Sequence, residues 1–399
     1  MQKIGEKFRK RKTVVALVFL FLLAPSALEF AAPKLLSDIN SFVAASPSAP
    51  SIGTLKGTLL LQNNTFLPGN PNASAPGSPI NLAYNPLNNE IYTADAGSGS
   101  TYSSSTSSND WDFVSVINAT SGILIGSINT TIPTSSYGFN AQSITVDTTN
   151  GYVYVSDPSG TLAVINGALN TLVKVIPSPL PSYEDGFPFL AYNSYNNYVY
   201  AYYAYAGTLY IIDPATNTFL KTSIKLKPYA SGGCCSASSN FGLPSPIAVD
   251  PTNGQIYVLN NNTATTSTNS SKSATISIID SSNSLVANVP TPKGYLLYAI
   301  GVNPSNGNIY LGNEGVSNPK IDGICKDCLL VLDGTNYQVD ASVTLPDAPG
   351  NLALDQVTNR VYVETPNEVY AVDMLSNTLV TGGFWTSSPA GMIASPVDS

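Results

Sequence analysis

Histidine is absent from all 399 residues. Without an imidazole there is no Ser-His-Asp triad, no Cys-His dyad, no His-ligated metal and no CxxCH haem attachment. Charge is scarce as well: Asp, Glu, Lys and Arg make up 11% of the chain, against a usual share of roughly 25%. Any catalysis would fall to Asp, Glu, Tyr, Lys or a bound cofactor, so composition leans away from an enzyme. What is plentiful is apolar or uncharged: 43% of residues are hydrophobic, and 23 are tyrosines. Such a chain can bury a core, and its length suits two or three average domains or one large all-β domain.

Long hydrophobic runs are also missing, with one short exception. Lys3, Lys7, Arg9, Lys10, Arg11 and Lys12 precede an apolar stretch over residues 14–24, and small residues continue to Ala32. A basic n-region followed by a short apolar h-region reads as a secretory signal. The run falls short of the roughly 20 residues that a spanning helix needs. No A-x-A cleavage site follows it, so residues 1–32 are read as a signal peptide or a retained N-terminal membrane anchor. Either way the remainder is expected to be extracellular, secreted or held at the cell surface, touching membrane only through this segment. Beyond residue 32, 11 basic and 23 acidic residues remain, a net charge of −12. That field disfavours nucleic acid and anionic lipid as partners. Few charges and no histidine suit an acidic exterior, where circular dichroism is expected to hold steady from pH 7 to pH 3.

A repeat organises the rest. An apolar-small-apolar triplet, an Asp or Asn, a turn and then Ile/Val-Tyr recurs six times. It reads Leu82-Ala83-Tyr84-Asn85 with Tyr92, Ile144-Thr145-Val146-Asp147 with Tyr154, and Leu190-Ala191-Tyr192-Asn193 with Tyr200. It continues as Ile247-Ala248-Val249-Asp250 with Tyr257, Ile300-Gly301-Val302-Asn303 with Tyr310, and Leu352-Ala353-Leu354-Asp355 with Tyr362. A second alternating strand and a further β-rich stretch follow each unit, so every unit holds four short strands. The repeat tyrosines lie 62, 46, 57, 53 and 52 residues apart. Turns such as Asp250-Pro251-Thr252-Asn253-Gly254 supply a preset φ and positive φ angles where the chain reverses. The pattern predicts an all-β, six-bladed β-propeller of four-stranded antiparallel blades. The small residue of each triplet fits innermost strands, and the tyrosine fills the widening wedge between blades.

The string Ile247-Ala248-Val249-Asp250-Pro251-Thr252-Asn253-Gly254 with Ile256-Tyr257-Val258 resembles the YVTN-type β-propeller repeat. That family is common among archaeal surface-layer and other secreted proteins, and the likeness extends over residues 80–384. The third unit departs most, with neither Pro nor Gly in Asn193-Ser194-Tyr195-Asn196-Asn197. The family often has seven shorter units, so seven blades is the alternative. Residues 55–62, Leu-Lys-Gly-Thr-Leu-Leu-Leu-Gln, are read as a closing strand for the last blade or as part of a seventh. The expected division is residues 33–79 as a Pro/Ser/Asn-rich spacer, 80–386 as the propeller and 387–399 as a tail.

In such a blade the first and third turns share one end, while the middle turn and the link to the next blade share the other. The first and third turns are short throughout. The long segments, residues 96–112, 130–141, 177–188, 225–246, 260–274 and 312–328, all belong to the other end. Loops lengthened on a rigid scaffold are where recognition usually sits. Candidate binding residues are therefore Asp110, Trp111 and Asp112, Tyr183, Glu184 and Asp185, and Tyr229. Aromatic rings beside carboxylates suit sugars, and the carboxylates suit Ca²⁺ weakly, without EF-hand spacing. The plainer role for Trp111 is to pack on its own blade. No metal site and no other cofactor is expected.

Four cysteines in an exported chain read as structural disulfides. Cys234 and Cys235 are adjacent, and Cys325 and Cys328 form a Cys-x-x-Cys. Either two bridges tie the two loops together, or a vicinal 234–235 ring accompanies a local 325–328 bridge. Sequons begin at Asn63, Asn72, Asn118, Asn129, Asn261 and Asn269, with Asn261 and Asn269 the best glycan candidates. The function expected from all this is a non-enzymatic surface propeller that binds a glycan or a protein, or joins an envelope layer. The rivals are a propeller enzyme, lactonase-like with a divalent cation or quinoprotein-like, and a self-assembling surface subunit.

Overall fold

The computed structural model describes residues 79–95, 113–130, 143–157, 159–181, 188–226, 245–260, 274–291, 295, 297–314, 325–366 and 368–385. These residues form 24 strands in six four-stranded antiparallel sheets, arranged in a ring as a six-bladed β-propeller. Blade 1 is β1 (Pro79–Asn85), β2 (Glu90–Asp95), β3 (Phe113–Asn118) and β4 (Leu124–Asn129). Blade 2 is β5 (Ser143–Val146), β6 (Tyr152–Ser156), β7 (Leu162–Asn166) and β8 (Thr171–Ile176). Blade 3 is β9 (Pro188–Asn193), β10 (Tyr198–Tyr203), β11 (Thr208–Asp213) and β12 (Thr218–Lys225). Blade 4 is β13 (Ile247–Val249), β14 (Ile256–Asn260), β15 (Thr275–Ile279) and β16 (Leu285–Pro290). Blade 5 is β17 (Leu297–Val302), β18 (Ile309–Asn313), β19 (Cys328–Leu332) and β20 (Val339–Thr344). Blade 6 is β21 (Leu352–Asp355), β22 (Arg360–Glu364), β23 (Glu368–Asp373) and β24 (Thr378–Trp385). Each sheet comes from one contiguous segment, so the last blade has its four strands without residues 55–62, which lie outside the described residues.

Position within the blade sets the composition of each strand. The second and third strands are sandwiched between neighbouring sheets, so they are apolar on both faces and buried along their length, as in β14, β15 and β19. The fourth strands form the rim and alternate with solvent, as in β16 and β20. Unpaired rim edges invite association. In all six blades the register shifts between the third and fourth strands, which twists the edge away from a flat template. Innermost strands pack side by side from β1 to β21. Their small residues allow this approach: a Cβ on Gly301 would lie 2.5 Å from Leu354 Cδ1.

The tyrosines of the second strands sit between blades as expected, with Tyr92, Tyr154, Tyr200 and Tyr310 all fully buried. Their hydroxyls add a contact that spacing does not disclose. Tyr92 donates to Asn170 Oδ1 at 2.5 Å and Tyr154 to Asn217 Oδ1 at 2.5 Å, each in the third turn of the next blade. Tyr200 does the same to Asn283. These asparagines hold φ of 52°, 52° and 67°, so one residue both closes its turn in the left-handed region and accepts the neighbour's hydroxyl. Tyr337 takes the place at the next interface, and Tyr257 donates to Gln255 of its own blade instead. At the interface of blades 5 and 6, Tyr310 OH and Asn377 Oδ1 are both buried without a hydrogen bond. Tyr154→Phe is expected to lower unfolding free energy by about 1–2 kcal/mol, because Asn217 loses its donor while 8% exposed. Tyr310→Phe is expected to be neutral or slightly stabilising, and urea denaturation of the pair would show no difference between them if the hydroxyl contact carries nothing.

Candidate functional site

The two ends of the wheel differ in kind. At one end, twelve turns of four to six residues join first to second and third to fourth strands. Side-chain carboxylates and amides cap them: Asp147 accepts from the Thr149 amide, Asp250 from Thr252, Asp280 from Ser282 and Ser284, and Asp355 from Val357. Asn and Asp hold a turn in this way because the short side chain reaches the amide two residues on. The third blade, without Pro or Gly, uses Asn197 at φ 57° to close a four-residue turn, one residue shorter than the Gly151 turn of the second blade. Asn118 likewise accepts from the Thr120 and Ser121 amides, so its carbonyl is committed to the turn. Asn129 ends β4, half-buried.

Every long segment leaves and re-enters at the opposite end. Residues 96–112, 261–273 and 315–324 separate second from third strands, while 131–142, 182–187 and 227–244 link successive blades. Asp110, Trp111, Asp112, Tyr183, Glu184, Asp185, Tyr229, Cys234, Cys235, Asn261 and Asn269 belong to these segments and lie outside the described residues, as do Asn63 and Asn72. The stems are described, and they are polar yet buried. Three residues beyond the repeat tyrosine stand Asp95, Asn260 and Asn313, exposed by 1%, 0% and 0%, while Asp157 at the same offset in blade 2 opens only a short turn. Polar side chains survive such burial only when hydrogen-bonded.

Each stem is wired accordingly. Asp95 accepts from Thr93 Oγ1 at 2.6 Å and from Ser115 Oγ. Burial pushes its carboxyl up to about 7, against the partial relief of those two hydroxyls. Asn260 accepts from Tyr202 OH at 2.8 Å and donates to Ser277 Oγ at 2.7 Å, which joins blades 3 and 4. Asn313 donates to the Cys325 carbonyl at 2.6 Å. Cys325 and Cys328 are joined by a disulfide with Cα atoms 5.9 Å apart. The pairing is local, so these two sulfurs do not tie the loop to Cys234 or Cys235. In blade 6, Asn351 donates to Glu364 Oε2 at 3.0 Å and accepts from the Ser245 amide at 3.2 Å, linking the entries of blades 4 and 6.

Sequence reasoning pointed to loop tips and passed over these stems. The signal was present at a fixed offset, a polar residue closing an apolar strand three positions after the tyrosine. Turn chemistry explains an Asp or Asn there equally well, which is why it did not stand out. Chemically the arrangement is a set of hydrogen-bonded polar residues that hold the points where the three middle-turn segments leave their blades. Among the described residues no three His, Cys, Asp or Glu side chains gather as a metal site.

No family model matches the sequence, and no curated protein does. Solved structures do. Hydrazine synthase of Kuenenia stuttgartiensis superposes with a TM-score of 0.59 at 13% identity, over 82% of this chain and 92% of that one. A protein from Lactobacillus plantarum superposes with a TM-score of 0.56 at 16% identity, over 80% and 88%. At such identities the likeness is one of fold, and the fold shared is the β-propeller.

Proposed function

We propose that this chain is an exported cell-surface β-propeller that binds a glycan or a protein through the end carrying its long segments. The observation that supports this most is the asymmetry of the wheel: twelve short capped turns at one end, and all six long segments at the other, three of them entered from the buried Asp95, Asn260 and Asn313. A rigid scaffold with one elaborated end is the usual design of a recognition surface. The basic-then-apolar leader and the YVTN-type repeat support export and a place in the cell envelope. Purified full-length protein on a glycan array, together with capture of envelope proteins, tests the reading. Trp111→Ala and Tyr183→Ala are expected to weaken capture at least tenfold, while Tyr195→Ser in a short turn leaves it unchanged. The reverse pattern would overturn the proposal.

The second reading is an enzyme. Hydrazine synthase shares the fold, and Asp95 is a carboxyl tuned to the range where proton transfer is useful. Against it, Asp95 is 1% exposed and both its oxygens are taken by hydroxyls of its own blade. An Asp95→Asn variant that kept full ligand capture would sit with the binding role.

A further inference from the structure

The short turns share a position where their chemistry favours a hydroxyl. In most of them the amide two residues after the capping Asp or Asn is held by that cap. In blades 4 and 5, Thr252, Ser282 and Thr335 fill the place, and each hydroxyl donates a second bond to the same carboxylate. Leu87, Val357 and Leu375 stand there in blades 1 and 6, with their amides bound to Asn85, Asp355 and Asp373. An apolar side chain can make no second bond, and these three are 59%, 43% and 79% exposed. Ile123 and Leu169, in the third turns of blades 1 and 2, are 65% and 69% exposed.

These five lie over three successive blades of the ring, 6, 1 and 2, on turns tied to one another. The Ala119 amide donates to the Asn89 carbonyl at 3.0 Å, and the Met374 amide to the Asn359 carbonyl at 2.9 Å, which joins the first and third turns of blades 1 and 6. Asn88 donates to the Gly167 carbonyl at 2.8 Å, which joins the turns of Leu87 and Leu169. The turns of blades 4 and 5 hold no Leu, Ile or Val. Tyr195 of blade 3 lies over Gly254 of blade 4. The other exposed large apolar side chains among the described residues are on the rim strands β4, β8, β16 and β20. A single exposed hydrophobe is ordinary, but five on one linked platform mark an interaction surface.

Charge around the patch decides what fits it. Seven of the twelve turn caps are aspartates, and no turn at this end contains Lys or Arg. Asp213 of blade 3 and Asp373 of blade 6 flank the apolar arc. The nearest cations are on adjoining strands: Lys174 donates to the Thr216 carbonyl, and Arg360 favours the ionised form of Asp373. Such a field repels an anionic lipid surface, and a second copy of this end would bring the same sign. We propose that the short-turn end docks a cationic amphipathic polypeptide, a protein segment that sets apolar side chains among Lys and Arg, over Leu87, Ile123, Leu169, Val357 and Leu375. Seated there, the propeller turns its long segments away from that partner.

Full-length protein and a labelled helical peptide, leucine on one face and lysine on the other, test this by fluorescence anisotropy. Binding is expected, and L87S/L169S/L375S should weaken it about tenfold or more. Serine suits such turns, as Ser282 does in blade 4, so the melting temperature of that variant is expected to hold. D213N/D373N should weaken binding and flatten its dependence on salt, with the turns kept because asparagine caps the equivalent turn at Asn118. Hydrogen exchange with peptide bound should slow in the turns of blades 6, 1 and 2 alone. Equal binding of the same peptide with glutamate for lysine, an unaffected triple variant, or protection at the long-segment end would each overturn the proposal. Wild-type dimerisation that the triple variant abolishes would give the patch to a second copy instead. Binding to phosphatidylglycerol vesicles lost in that variant would give it to a membrane.

Discussion

Gly334→Ala should destabilise the propeller by about 3 kcal/mol, while Gly126→Ala should change stability by less than about 1 kcal/mol. The contrast comes from what an added methyl would meet. At Gly334 a Cβ would lie 2.1 Å from the Gly307 carbonyl oxygen and 2.3 Å from its carbon. Both are backbone atoms, so no rotamer change relieves the clash and the first and third turns of blade 5 must separate. At Gly126, in β4, nothing lies within 4 Å. Blade 2 repeats the arrangement, with Gly167 set against the Gly151 oxygen at 2.4 Å. Urea denaturation of the two single variants decides the matter, and equal midpoints would mean the turns are not held together as described.

The second large effect is a dependence on pH that runs opposite to ordinary acid denaturation. Asp95 has its carboxyl raised from 3.8 to about 7, chiefly by burial. The folded state therefore holds the proton more tightly than the unfolded chain does. That contribution is complete below about pH 4 and is lost as pH climbs to about 7, amounting to about 4 kcal/mol at its largest. Three turn aspartates pull the other way at the acid end. Asp280 and Asp333 are lowered first by the Ser282 and Thr335 hydroxyls, and Asp373 by the Ser376 amide. Their stabilisation is present when ionised and disappears as each is protonated. With no histidine to titrate between pH 5 and 8, stability should peak in mildly acidic solution. Asp95→Asn should flatten the fall between pH 5 and 8, read from melting temperature against pH. A variant that kept the wild-type profile would remove Asp95 as its source. An acidic exterior, expected from composition, is consistent with that maximum.

Strand and turn placement was legible because it rests on local chemistry. The alternating strand and the β-rich stretch expected after each repeat unit are the third and fourth strands of its blade, from β3 and β4 to β23 and β24. Alternation, Asp-Pro-Thr-Asn-Gly turns and a fixed tyrosine all act within a dozen residues. The hydroxyl staples were not legible. Tyr92 and Asn170 are 78 residues apart, and Tyr200 and Asn283 are 83 apart. In sequence such an asparagine looks only like a turn residue. The buried stems were hidden for a related reason, since Asp95 and an exposed turn aspartate such as Asp280 are the same residue type in similar strings.

The repeat alone determined six units of four strands and the end from which the long segments spring, because each of these follows from short-range periodicity and connectivity, and it left six against seven blades open. Tertiary structure decided the number of blades, which polar residues are dehydrated and which tyrosines find partners. Those properties depend on what a neighbouring blade brings within a few ångströms, and no spacing along the chain encodes that distance.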